Sequence, residues 1–430
     1  MKKIRLAAAA LSVLLCICAC TDISEPPAPA ESSTTSASAP AETNRTEPSE
    51  TDPEQTPAEE TTPPAPLINE NIDYAAFEGR IEDIARSLNT VGMGLCVFGQ
   101  GEVIYSVNYG CADQEAGRPA DDSTLYRSAS ISKMISTMAL MTLYDQGVIT
   151  PYSELEPLTG LPYNNPALDK PVLLWHLLTH TAGIADSYAY ENAPASRSSL
   201  SYVLSYSYSG KEPGTDYSYS NFGAGTIGGI VERLTGEYFH DYADRVLFEP
   251  LGMDAGYCID LIENRDNAAN LYAYGSLLYT PKSWGRTTAY YEGYGLGNSY
   301  LTAQCELLIT PCDLARLGIV LAGDGSVDGV RILSEDAVNE MNTVYYSDDS
   351  MDFDMGLNVR VYDGNFVEGR TIHGHAGQAF GCVNGLYYDP SDGTGVAICS
   401  VGCPASANEE NGVYILLDEC VNAVYETFFD

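Results

Sequence analysis

Between Pro66 and Leu67 the chain changes character, and that break constrains the fold more than any single motif. Upstream, residues 21–66 read TDISEPPAPAESSTTSASAPAETNRTEPSETDPEQTPAEETTPPAP, almost wholly Pro, Ser, Thr, Ala and Glu. A stretch with so little to bury cannot offset the entropy of ordering itself, so a disordered linker is expected there. As a coil of that length it reaches roughly 40 Å on average, and like-charge repulsion lengthens it. Whatever folds must come from residues 67–430, enough for one large domain with a sizeable core.

The first twenty residues, MKKIRLAAAALSVLLCICAC, pair a basic start (Lys2, Lys3, Arg5) with an uncharged apolar run and small residues. That pattern predicts a secretory signal at 1–20 and an extracytoplasmic protein. Its end is similar to a bacterial lipobox, with Cys20 as the lipidated residue because Ala19 supplies the small side chain before it. Plain secretion with cleavage near Ala19 is the alternative. A lipid at Cys20 followed by the linker would hold the domain off a membrane.

The net charge of −38 excludes a nucleic-acid partner and an anionic membrane surface, leaving any lipid anchor as the membrane contact. Of the twelve cysteines three lie in the leader. Nine is odd, so outside the cytosol at least one thiol stays free unless it pairs with another chain. Cys382 and Cys399 flank a predicted hairpin and are the candidates to face each other.

Within the domain, residues 73–89 place Phe77, Ile81, Ile84 and Leu88 on one helical face behind Asp73 as cap. GMGLCVF (92–98) and VIYSVNYG (103–110) read as strands joined by the turn GQGE. Residues 130–147 are apolar enough for a buried helix stopped by Gly147, and 171–183 predict another. GCVNGLYYDP (381–390) and TGVAICSVG (394–402) predict a hairpin, and 411–429 a closing helix. Strands at both ends with helices between them give an α/β (α+β) domain, one antiparallel sheet with a helical region inserted.

RSASISKMIST, residues 127–137, carries Lys133, one of four lysines beyond the leader, three residues after Ser130. At i and i+3 on a helix the two side chains share a face. If Ser130 starts the helix, free backbone N–H groups point at whatever it attacks, as a developing oxyanion requires. Burial in KMISTMALM disfavours the ammonium form and lets Lys133 take the serine proton. The same residues also suit a capped helix with a solvated lysine.

A serine–lysine pair needs a second proton handler when the leaving group departs. Tyr219-Ser220-Asn221, in KEPGTDYSYSNFGAG, supplies a tyrosine for that and an asparagine to hold the lysine or a substrate carbonyl. With 31 tyrosines in the chain, such a triplet is also cheap. In TIHGHAGQAFG, His375-Ala376-Gly377 is expected to precede a strand, Gly377 letting a substrate backbone approach closely and Gln378 offering the second oxyanion amide. His176 and His180 lie at i and i+4, and His373 and His375 alternate; without an H-E-x-x-H pattern these are expected as core or site histidines. No metal or cofactor is expected.

Taken in order, LYRSASISKMIST, LLWHLLTHTAGI, PGTDYSYSNFGAGTIGGIVERLTG, FEPLGMD, ITPCDLARL and HGHAGQAFG resemble the serine β-lactamase-related family over roughly residues 75–425. That family includes class C β-lactamases, D-alanyl-D-alanine carboxypeptidases, D-aminopeptidases and esterases. The resemblance implies a β-lactamase/transpeptidase-like fold, Ser130 as acylated nucleophile, Lys133 as its proton acceptor, and Tyr219 and Asn221 as the second motif. It puts His375 and Gly377 at the third motif, the Ser130 and Gln378 amides at the oxyanion hole, and His180 in a buttressing helix. His-Ala-Gly stands where β-lactamases have Lys-Thr-Gly, which weakens the grip on a substrate carboxylate at neutral pH. Residues 257–300 are unusually long and Tyr/Gly-rich. The expected reaction is acyl transfer from a peptide or ester, with a peptidoglycan D-peptide first, a small ester second and a β-lactam third. The competing expectation is a catalytically silent surface lipoprotein that keeps the fold for binding.

Overall fold

Strand β1 (Gly92–Gly99) is paired on both sides by chain from opposite ends of the domain. On one side lies β2 (Glu102–Asp113), with Gly92 opposite Gly110; on the other lies β8 (Thr394–Val401), with Gly92 opposite Val401. The computed structural model describes residues 68–429, so the leader, Cys20 and the linker fall outside the described residues. The sheet is completed by β3 (Arg118–Pro119), β4 (Asp354–Met355), β5 (Arg360–Asp363), β6 (Thr371–Ala379) and β7 (Cys382–Asp389). Its order is β4-β5-β6-β7-β8-β1-β2-β3, antiparallel throughout. The sheet built from both ends is as the sequence predicts.

Every residue of β1 is buried, because helices cover both faces of the sheet. Met93, Leu95 and Val97 face α1 (Tyr74–Ser87) and the C-terminal helix, Ile415–Phe428. Cys96 and Phe98 face α2 (Ile131–Asp145) and the helix Pro311–Ala322. Asp73 caps α1 through its side chain, accepting from the Ala76 amide at 3.1 Å. In the Pro311–Ala322 helix, Gly318 allows the close approach; a β-carbon there would sit 2.7 Å from the Phe98 ring.

Two sequence expectations need correction. The helix predicted over 171–183 is only α3, Leu174–Leu178. Beyond it His180 takes a left-handed conformation (φ 59°) and ends the helix, leaving Thr179 and Thr181 to bond each other at 2.8 Å. His375-Ala376-Gly377 does not precede a strand but lies inside β6. The ladder to β7 runs through all three, with His375 opposite Leu386, Ala376 opposite Gly385 and Gly377 opposite Asn384. Cys382 and Cys399 share neither a bond nor a register position; Gly385 pairs with Ile398, which sets Cys399 across from Asn384. Neither of the two is in a disulfide.

Candidate active site

The site forms where α2 begins, on the sheet face that carries His373, His375 and Gly377. Ala129 is left-handed (φ 51°), and this turn presents Ser130 at the N-cap of α2. The Ser130 hydroxyl makes no capping hydrogen bond, so the expectation of an ordinary helix cap fails. Instead it accepts two hydrogen bonds, from Lys133 Nζ at 3.0 Å and from Tyr219 Oη at 2.8 Å. Lys133 is fully buried, and none of the ion pairs among the described residues includes it. Its Nζ is held by Asn221 Oδ1 at 2.9 Å and the Gln304 carbonyl at 3.0 Å, and lies 5.0 Å from the Tyr219 ring centre.

Tyr219, Ser220 and Asn221 lead into α4 (Asn221–Gly225), which Ser220 caps by accepting from the Gly223 amide at 2.9 Å. His180 fixes this segment from behind. Its Nδ1 accepts from the Ser220 amide at 3.2 Å, and its ring lies 4.4 Å from that of Tyr219. With Nδ1 accepting, the neutral ring carries its proton on Nε2. Burial, then Lys133 and Arg360, hold His180 well below its ordinary value.

β6 closes the other side. Gly377 pairs with Asn384 of β7, whose Nδ2 donates to the Arg127 carbonyl at 2.9 Å, tying the sheet to the turn that carries Ser130. A β-carbon at Gly377 would stand 2.2 Å from the Ser128 carbonyl oxygen and 3.2 Å from the Ser130 nitrogen. The close approach that requires glycine is therefore made by the protein's own backbone, where the sequence suggested a substrate. β5 pairs with β6 only as far as Gly374, so His375 to Gln378 lie on a stretch with one open edge. An open edge offers amides and carbonyls to an extended ligand.

His375 is buried; its Nδ1 lies 2.6 Å from the Ala376 carbonyl and therefore carries the proton. Burial, then Arg360 and Lys133, push it well below its ordinary value, so it is uncharged at neutral pH. His176 Nδ1 accepts from the Leu173 amide at 3.0 Å, and His373 Nδ1 sits 3.0 Å from Asn342 Oδ1. Among the described residues no three His, Cys, Asp or Glu side chains gather as metal ligands.

Three contributors escaped the sequence. Gln304 acts through its main-chain carbonyl, which no side-chain pattern reveals. Asp186 accepts from Ser220 Oγ at 2.8 Å, the Phe222 amide at 2.8 Å and Asn221 Nδ2 at 3.1 Å, yet in sequence it is one acid among 59 acidic residues. Arg360, on β5, is half-buried beside Tyr217, Tyr219 and Tyr362, its guanidinium carbon 4.4 Å from the Phe353 ring centre. No ion pair among the described residues includes it.

The family model described as Beta-lactamase matches residues 77–416. Esterase EstB of Burkholderia gladioli is 30% identical over 217 residues, which is 44% of this chain and about half (53%) of that protein. Penicillin-binding protein 4 of Amycolatopsis lactamdurans is 24% identical over 346 residues, covering 78% of this chain and 87% of that protein. Among solved structures, a class C β-lactamase superposes with a TM-score of 0.64 at 15% identity, over 84% of this chain and 98% of that one. The last likeness speaks for the fold alone; the family model, which spans most of the chain, makes it a member of the β-lactamase family, whose members are serine hydrolases.

Proposed function

We propose that this protein is an extracytoplasmic serine hydrolase that works through an acyl-Ser130 intermediate and takes a cell-wall D-peptide as substrate, in the manner of a D-alanyl-D-alanine carboxypeptidase. One observation carries the reading: a hydroxyl at a helix start that caps nothing and is bonded by both a buried lysine and a tyrosine. As Ser130 Oγ attacks the scissile carbonyl, Lys133 takes its proton. Tyr219, within reach of the same oxygen, gives its proton to the leaving nitrogen or oxygen as the tetrahedral intermediate collapses, and Lys133 makes that loss good with the proton it took from Ser130, which resets both groups. The amides of Ser130 and Gln378 receive the oxyanion, one at the start of α2 and one on the open edge of β6. Water then releases the acyl group by the reverse route.

The D-peptide assignment is supported by Arg360. His375 brings no charge to the place where Lys-Thr-Gly relatives have a lysine, but one strand away Arg360 offers a guanidinium without a carboxylate partner among the described ion pairs. Such a group suits the terminal carboxylate of a peptide. A small ester is the second reading, favoured by the uncharged His375. The leader and linker fit a domain tethered through lipidated Cys20 and reaching into the wall.

The test uses purified protein and Ser130→Ala, treated with a fluorophosphonate and separately with a fluorescent penicillin, adducts being located by mass spectrometry. Labelling at Ser130 by both, with slow release of the penicilloyl group, is expected. Fluorophosphonate labelling alone would move the assignment to an esterase, rapid penicillin turnover to a β-lactamase. No labelling by either sinks the hydrolase.

A further inference from the structure

We infer that Asp186 is a positioning residue that decides which end of the Asn221 side chain faces Lys133. An ionised carboxylate only accepts hydrogen bonds, and all three partners of Asp186 are donors. A carboxamide has an accepting end and a donating end of nearly equal shape, so packing alone cannot choose between them. Asp186 Oδ2 engages the Nδ2 end at 3.1 Å, and this leaves Oδ1 for Lys133 Nζ at 2.9 Å. With the carboxamide turned over, its NH2 would confront the lysine donors, and Lys133 would keep only Gln304 and Ser130 as partners.

The second oxygen of Asp186 extends the same control to the backbone. Oδ1 accepts from Ser220 Oγ and from the Phe222 amide, both at 2.8 Å, the residues on either side of Asn221. Ser220 in turn accepts from the Gly223 amide, and its own amide is held by His180. Tyr219 and Asn221, which face Ser130 and Lys133, thus project from a segment gripped at three successive residues. Asp186 itself is solvent-exposed and touches none of the groups assigned to proton transfer except through Asn221.

The inference rests on the acyl-Ser130 reading, and the experiment separates the two. Asp186→Asn keeps an oxygen for Ser220 and Phe222 but sets an NH2 against Asn221 Nδ2, so the Asn221 amide must turn. Fluorophosphonate acylation of Ser130 in full-length D186N is expected to slow by about 10- to 100-fold, with little change in melting temperature. Because the effect runs through Asn221, D186N/N221A should acylate at the rate of N221A. Wild-type rates in D186N, or losses that multiply in the double variant, overturn the inference. A direct readout is the Asn221 side-chain amide resonance, assigned by its disappearance in N221A: it must move in D186N, and an unmoved resonance also overturns the inference. If wild-type Ser130 takes no label, the acyl-enzyme reading falls while this resonance still decides the role of Asp186. Should D186N not fold, slow exchange of the wild-type Asn221 amide protons supports the assignment, and exchange as fast as that of exposed asparagines refutes it.

Discussion

Gly377 lies flat against the turn that carries Ser130, so close that a β-carbon would stand 2.2 Å from the carbonyl oxygen of Ser128. The neighbour is backbone and cannot rotate away. Gly377→Ala must therefore push β6 or the Ser128–Ser130 turn aside, at a cost of about 1–3 kcal/mol. Denaturant melts should report that loss, and fluorophosphonate acylation should slow because the Ser130 amide moves with the turn. A wild-type midpoint together with a wild-type rate would mean that the contact is slack.

Lys133→Met removes the proposed proton acceptor while keeping the apolar stem in its buried slot. Acylation of Ser130 is expected to fall by roughly 10²- to 10⁴-fold, with Tyr219→Phe falling within the same span. Stopped-flow labelling with a fluorophosphonate measures both. An undiminished Lys133→Met rate would transfer the base role elsewhere.

Arg360→Gln separates carboxylate recognition from chemistry. Loss of a charge-assisted contact to a peptide carboxylate should raise KM for a D-alanyl-D-alanine peptide by about 10- to 100-fold and leave kcat nearly unchanged. Hydrolysis of a neutral ester should barely respond. Equal losses on both substrates would make Arg360 a structural support for the Tyr217 and Tyr219 phenols.

Acid should destabilise the protein through His373. Burial pushes its ring down to about 4, with Asp389 opposing. An unfolded histidine titrates near ~6.5. Between those values the unfolded chain binds a proton that the folded one refuses, so this contribution is complete above about 6.5 and is lost as pH falls toward about 4. Glu232 slopes the other way: burial pushes its carboxyl up to about 7, so its share of stability declines as pH rises through that value. Comparing the stability–pH curve of His373→Gln with that of wild type isolates the histidine. The variant curve should be flatter in that window, by up to ~1.4 kcal/mol per pH unit. Parallel curves would show that His373 titrates alike in both states.

The sheet and the pairing of Ser130 with Lys133 were legible because each leaves a local signature. The buried run of β1 and the apolar α2 with its lone lysine can be read from neighbours in sequence. His180 could not be read that way. Its surroundings look helical, but tertiary contacts to Ser220 and Tyr219 hold it in a left-handed turn. Gly377 was singled out for the wrong partner, because sequence marks a close approach without saying what approaches. Asp186, Gln304 and Arg360 come into play only when chain segments far apart in sequence meet, and Gln304 does so through a main-chain atom.

The placement of β1 between β2 and β8 has a consequence for how the protein comes into being. The helix bearing Ser130 is synthesised in the first half of the chain, whereas β6, β7 and β8, which seat Gly377 and flank β1, emerge near its end. Pairing across such a separation must wait for the last strands, and folding dominated by distant contacts is slow. A chain emerging amino-terminus first would therefore carry its serine and lysine without the strand that shapes the cleft around them. Hydrolytic competence would arise in a single late step, when the tail of the polypeptide slots in beside its head.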